Sequence, residues 1–419
     1  REQVQIVMIP EDMKGYSEKV TLPFRGMVVQ KNKSTNLSSV SKNGLNLNLT
    51  DVEEGFRNIP GLQLISKSGQ SQEGSFFSIR GVNTMIANST PLIVVNGVPY
   101  MPDMNESGII GGYSKDIFNI LNVQDIENIT VLKGTDAAMY GSLGSNGVIM
   151  IETDKAADLD TKVEFIGQYG LSWNTSTLPV LGVDDYKSLM GNVALTKYED
   201  MSDALNAFPY LKDDPEFYYK YLYNNNTDWQ DLIYQDGFSQ EYNISVSGGS
   251  RNGSWHSFSG NYLKQQGIIK ESGFTRYSIR ANMGRKIKSW LDMGVNISFS
   301  HTDTDFSRTN SNDYGVIRSA LVFPTTYDPS DDETLNSDEL SWLASNPYAY
   351  INSAKDNLKS NNVFTSSYLE IKLFPFLKFR QNLGINYTNR ERGTYYGRRT
   401  SEGSEANNIN GKAGQSTNW

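Results

Sequence analysis

The chain has 419 residues, a formal net charge of -9 and no cysteine, which excludes disulfides, thiolate catalysis and cysteine-ligated zinc. Its acidity argues against a nucleic-acid partner, which needs a basic surface, and with only His256 and His301 present imidazole chemistry is nearly excluded. Mean hydropathy is -0.48 and no apolar run reaches the roughly 18 residues of a membrane-spanning helix. A barrel strand would leave no such run, because its apolar side chains occupy only alternate positions. The 36 Gly and 24 Tyr fit such strands better than an ordinary soluble enzyme.

Residues 1–40 are polar and broken. The opening REQVQIVMIP lacks the basic-then-apolar layout of a signal peptide, so the chain is expected to be a mature or trimmed product. Val4–Ile9 is a short strand-like run. Val20–Val29 carries Pro23 and Gly26, which favour an extended, loosely held segment. The whole stretch reads as a flexible N-terminal extension.

Residues 41–155 read as a compact α/β unit. Asn48–Pro60 places Thr50 and Glu53 in a capping-box pattern that opens a helix. Leu62–Ile65 reads as a strand, and Pro91–Pro99 as a hairpin turned by Asn96-Gly97. Asp125–Leu132 and Gly147–Thr153 are further strands, with one short helical turn at Thr135–Tyr140 between them. The glycines of Gly141–Gly147 (GSLGSNG) permit turns with positive φ. A phosphate-loop reading fails, since Lys133-Gly134 stands in the reverse order and no Gly-Lys-Ser/Thr follows.

From residue 156 to 419 the pattern becomes period two. Leu291, Met293, Val295, Ile297 and Phe299 alternate with Asp292, Gly294, Asn296, Ser298 and Ser300. Leu377–Tyr387 repeats this arrangement, and Tyr242–Val246, Tyr277–Met283 and Leu369–Leu373 are shorter versions. Such strands separate two solvents, either as a soluble sheet over a core or as a barrel wall. The connections favour the wall. Gly248–Gly253, Arg285–Ser289 and Phe374–Phe376 are tight, whereas those over about 175–235 and 304–360 are long. On this pattern about seven strands begin near 161, 239, 254, 274, 290, 361 and 377. Leu291, Val295 and Phe299 are expected to face lipid, and Asp292 and Asn296 the interior.

Three local motifs then stand in order: Ser78–Gly81 (SIRG), Pro91–Tyr100 (PLIVVNGVPY) and Asp125–Thr153 (DIENITVLKGTDAAMYGSLGSNGVIMIET). Together they resemble the plug of TonB-dependent outer-membrane receptors, specifically the SusC/RagA-like branch. Asp228–Gly249 and Gln266–Arg280 are similar to the same branch. The resemblance implies an α/β plug domain followed by antiparallel transmembrane β-barrel strands. Receptors of this class close with about 22 strands around a plugged lumen. The barrel here is therefore expected to be incomplete, its remainder lying outside this sequence or in another chain.

The resemblance further implies no enzyme and no cofactor, but a TonB-dependent importer of oligosaccharides or peptides set among outer-membrane lipid. A SusD-like surface lipoprotein is the implied partner at the outer mouth. Asn83, Asn88, Asn105 and Tyr113, on the polar plug loops Val82–Thr90 and Tyr100–Tyr113, are the expected substrate contacts. Val20, Thr21, Leu22 and Phe24 are the expected TonB contact. A non-transporting SusC-like scaffold in a surface or secretion assembly is the alternative, and the loose match of Val20–Val29 to a TonB-contact segment favours it.

Other chemistry finds little support. Neither a Gly-x-Ser-x-Gly elbow nor a His-Glu-x-x-His motif occurs. Asp103, Asn105, Ser107 and Gly108 mimic the start of a calcium loop, but Ser114 stands where the bidentate Glu belongs. Asp328, Asp331, Asp332 and Glu333 read as a solvated loop face, and no metal site is assigned. Arg80 can pin the plug to a polar lumen or brace the plug's own fold. Trp173, Tyr395 and Tyr396 fall where an interfacial aromatic girdle would place them.

Overall fold

The computed structural model describes residues 19–22, 27–30, 37–41, 56–57, 59–66, 75–83, 89–100, 120–154, 160–198, 200–208, 211, 224–307, 315–329, 346–397, 400 and 412–418. The expected strand at Val4–Ile9 and the capping box at Thr50 and Glu53 lie outside these residues.

β1 (Lys19–Leu22) and β2 (Met27–Gln30) pair as an antiparallel ribbon, so Val20–Leu22 lies beside Met27–Val29. β3 (Leu37–Ser41) joins the plug sheet by pairing with Asn128–Leu132, and so reaches back into the segment read as an extension. β4 (Leu62–Ser66) and β5 (Ser75–Ile79) form a second hairpin. β6 (Leu92–Val95) and β7 (Val98–Tyr100) are joined by Asn96 (φ 50°) and Gly97 (φ 83°). Two consecutive positive φ values define the type I′ turn that the Asn-Gly pair favours. β8 (Ile126–Leu132) and β9 (Val148–Thr153) complete a five-stranded sheet of order β3-β8-β9-β6-β7, in which only β6 and β9 run parallel.

The continuous apolar runs of β6 and β9 are buried on both faces, as expected of a sheet covered on both sides. On one face Ile93, Val95, Ile149 and Ile151 pack with Phe56, Leu62, Phe77 and Ile79. On the other, Leu92, Val94, Val148 and Met150 meet Ala137 and Tyr140 of a 3-10 segment, Gly134–Gly144. That segment extends the single helical turn expected at Thr135–Tyr140 and is kinked at Gly141, where φ is 64°. The backbone N–H of Arg80 donates to the Gly61 carbonyl at 2.9 Å, and its guanidinium lies beside Gly134. Lys133 donates to Ser38 Oγ at 2.7 Å and to the Pro60 carbonyl, tying β3 and β4 to the end of β8. Burial, and then the Arg80 charge, hold its ammonium below the usual lysine range.

Among the described residues, the wall is an antiparallel meander of eight strands in chain order. They are β10 (Lys162–Ser172), β11 (Gly237–Gly249), β12 (Ser254–Gln266), β13 (Gly273–Lys288), β14 (Leu291–Asp305), β15 (Ala354–Phe374), β16 (Leu377–Tyr396) and β17 (Lys412–Asn418). Six of the expected starts fall within two residues of the observed ones, but β15 begins at Ala354 rather than near 361. β17 has no counterpart among the expected strands. The early part of β15 (AKDNLKS) and β17 (KAGQSTN) lack the apolar alternation by which strands were recognised.

Burial in the wall runs opposite to that of a soluble sheet. Ile279 and Ile385 are each 67% exposed, while Arg276, Asn296 and Thr302 on the other face are buried. An apolar face left open and a polar face covered belong to a barrel in lipid. Tyr242, Tyr262, Tyr277 and His301 are direct cross-strand partners on β11–β14, and with Tyr169 of β10 they form an aromatic row with ring centres 5.0–6.3 Å apart. Trp173 and Tyr395 are exposed near strand ends. Tyr396 instead turns into a core of the long loops, because its inward register carries it beneath α3 (Trp229–Ile233), α4 (Val316–Val322) and α5 (Pro347–Ser353). α1 (Val183–Lys197) and α2 (Met201–Ala207) lie earlier in the β10–β11 loop. Trp229 Nε1 donates to the Pro324 carbonyl at 2.9 Å, and Asp228 caps α3, so two separate loops fold as one cap.

Cysteine substitution tests the two faces. In a complete receptor, Ile297→Cys should react with a lipid-soluble maleimide and resist a membrane-impermeant one. Asn296→Cys should resist both reagents while the plug is seated. Ready modification of position 297 by the impermeant reagent would reverse the assignment.

Candidate functional site at the seam between plug and wall

Side chains on the inner face of β11–β14 reach the plug because strand alternation points every second residue inward. Most of those residues are amides, hydroxyls and arginines, with Glu241 among them. Covered by a plug, each needs a partner, since a buried polar group without one is costly. The plug supplies the partners mainly as backbone carbonyls. Arg276 Nη1 donates to the Leu121 carbonyl at 2.8 Å, Arg280 Nη1 to that of Asp125 at 3.0 Å, and Asn282 Nδ2 to that of Asp154 at 2.8 Å. Asn122 Nδ2 donates to Asn243 Oδ1 at 2.8 Å.

Arg276 is positioned from within the wall. Asn261 accepts from its Nη2 at 3.1 Å and donates to Glu241 Oε1 at 2.8 Å, while Glu241 lies 3.7 Å from the guanidinium. Register makes this cluster possible, since Glu241 pairs with Leu263 and Leu263 with Arg276 across three adjacent strands.

The second part is a node where three plug segments meet two wall strands. Asn96 Oδ1 accepts from Thr153 N at 3.1 Å and from Thr153 Oγ1 at 2.8 Å, which locks the β6–β7 turn to the end of β9. Thr153 Oγ1 also accepts from Asn296 Nδ2 at 3.1 Å. The Asp125 carbonyl accepts both Asp154 N, at 2.8 Å, and Arg280. Asn296 therefore faces the plug, as its place in the alternation implied. Apolar contact adds to the seat: Phe364 of β15 enters the plug core, and a Cβ on Gly384 of β16 would come within 2.2 Å of Val98.

Asn83 is exposed just beyond the Arg80-Gly81 turn. Val20, Thr21 and Leu22 lie in β1. Asn88, Asn105, Tyr113 and Phe24 lie outside the described residues, as do Asp103, Ser107, Gly108, Ser114, Asp331, Asp332 and Glu333. Among the described residues, no group of three His, Cys, Asp or Glu is placed to hold a metal ion. The seam residues Arg276, Arg280, Asn282 and Asn243 were not singled out from the sequence. Their signal was a charged or amide side chain at inward positions of strands whose other face is apolar.

The Glu241–Arg276 pair generates a stability test. Removing one partner strands the other charge in a buried site, at a cost of about 3 kcal/mol. In a complete receptor, Arg276→Met should lower the urea midpoint of the heat-modifiable barrel band, and adding Glu241→Gln should recover much of the loss. An unchanged midpoint for Arg276→Met would refute the role given to the pair.

The TonB-dependent Receptor Plug Domain family matches residues 30–148. TonB-dependent receptor SusC of Bacteroides thetaiotaomicron is 26% identical over 367 residues, covering 86% of this chain and 32% of that protein. TonB-dependent receptor P3 of Formosa agariphila is 27% identical over 401 residues, covering 93% and 36%. The chain thus spans about a third of the length of these curated relatives. The RagAB peptide importer in its open-open state superimposes with a TM-score of 0.69 at 21% identity, over 90% of this chain and 43% of that one. These relatives are receptors rather than enzymes. Residues 30–148 belong to the TonB-dependent receptor plug family, and the order of the plug motifs and the inverted burial of the wall make the chain as a whole similar to the SusC/RagA-like receptors, as a plug followed by barrel strands.

Proposed function

We propose that the chain supplies the plug and the leading wall strands of a TonB-dependent importer of oligosaccharides or peptides, working with a SusD-like surface lipoprotein. The observation that carries this reading is the seam. The plug is held to the lumenal wall by hydrogen bonds to its backbone, which can part and re-form without chemical change. A plug that had only to fill space would be served as well by an apolar junction. The names of the relatives support TonB dependence, printed for SusC, and a peptide cargo, printed for the RagAB importer.

In this reading the residues before β3 form the periplasmic extension, β3 to residue 155 the plug and 156–419 the first part of the barrel, so the plug begins a few residues earlier than the expected 41. Val20, Thr21, Leu22 and Phe24 are the TonB contact. A two-stranded ribbon has open edges to which another strand can add through backbone hydrogen bonds, which supports this assignment despite the loose side-chain match. Asn83, Asn88, Asn105 and Tyr113 are the substrate contacts from the plug. The exposure of Asn83 fits that role.

Deleting residues 20–29 from a complete receptor tests the proposal. Uptake of the substrate and growth on it should be abolished, while the heat-modifiable band and association with the lipoprotein persist. Uptake that survives the deletion would remove the TonB contact from this segment. A receptor that assembles normally and carries no oligosaccharide or peptide at all would instead support the scaffold reading.

A further inference from the structure

Beside the node, between plug and wall, lies a cavity of about 30 Å³. Residues lining it include Asn96 and Asp125 of the plug and Arg280 and Ser300 of the wall. Three of these carry polar atoms that are buried and have no protein partner: Arg280 Nε and Nη2, Asn96 Nδ2 and Ser300 Oγ. Arg280 is 8% exposed and Ser300 is 4% exposed. Stranded donors from both sides of the seam thus border a single space.

We propose that this cavity is a structural water site, holding about two ordered water molecules that complete the hydrogen bonding of Arg280, Asn96 and Ser300. Size and polarity both fit. Such a volume suits one or two waters, and a polar lining with several partners separates a wet cavity from a dry one. Asp125 lines the cavity with Arg280, and its negative charge opposes a small anion there. Water accepts from the guanidinium and the amide without adding charge.

The site gives the seam a property that direct contacts lack. When the Asp125 carbonyl and Thr153 hydroxyl separate from the wall, Arg280 and Asn296, which both line the cavity, do not face bare apolar surface. Water already in place takes over the bonds they lose. The node is strong when closed and inexpensive to open.

Radiolytic hydroxyl-radical labelling of the complete receptor tests this, because ordered water beside a buried ring raises its labelling above what exposure predicts. Tyr100 borders the cavity and is 3% exposed, whereas Tyr140 lies in the other plug core and is 8% exposed. Tyr100 should label several-fold faster than Tyr140, and Ser300→Val should bring its rate down to that of Tyr140. Ser300→Ala, which keeps the space and removes one partner, should give an intermediate rate. Labelling of Tyr100 no faster than Tyr140 in the unaltered receptor would show a dry cavity and overturn the proposal. Anomalous density from bromide in the cavity of a soaked crystal would overturn it in favour of an anion site.

Discussion

The inner face of the wall is polar, and in the folded protein it is buried. Everything else about the seam follows from that constraint. A soluble sheet buries its apolar face and shows its polar face to water, so its hydrogen bonding is satisfied at no structural cost. Here lipid takes the apolar face and the plug covers much of the polar one. Arg276, Arg280, Asn282 and Asn296 then need partners that do not move away, and the plug presents them at Leu121, Asp125, Thr153 and Asp154.

This explains why the plug sheet ends where it does. Asp125 precedes β8, Asp154 follows β9, and Asn96 turns β6 into β7, so all three lie at one end of the sheet. Strand interiors have their carbonyls committed to ladder hydrogen bonds, whereas strand ends have lone pairs to spare. The wall therefore takes hold of the plug by its sheet ends. The apolar body of the sheet is left to its own two cores, and Phe364 is the wall residue that enters one of them.

How much of this was legible in the sequence depended on how local the signal was. The Asn96-Gly97 turn, the apolar runs of β6 and β9, and the alternation of Leu291–Ser300 each carry their cause within a few residues, and all are present in the fold. The early part of β15 and the whole of β17 escaped because their polar strand residues show no alternation. The seam escaped for a different reason. Arg276 and Leu121 are separated by 155 positions, and no local pattern announces that an arginine will find a particular carbonyl. What could be read was that an inward arginine beside inward amides would need a partner.

The direction of these bonds has a consequence for how the seat is encoded. Arg276, Arg280 and Asn282 donate side-chain hydrogens, and what accepts them on the plug is main chain. A carbonyl is present whatever residue occupies the position, so changing the side chains of Leu121, Asp125 or Asp154 leaves those acceptors in place. The specificity of the seat is written chiefly in the wall, in side-chain identity, and in the plug as backbone position. Asn122 and Thr153 are the exceptions, since both meet the wall through their side chains, and Asn96 holds Thr153 in place. Asn96 also adopts a positive φ that most residues tolerate poorly, so one residue shapes the turn and joins it to the strand that meets the wall. Within the plug, shape and attachment converge on that asparagine.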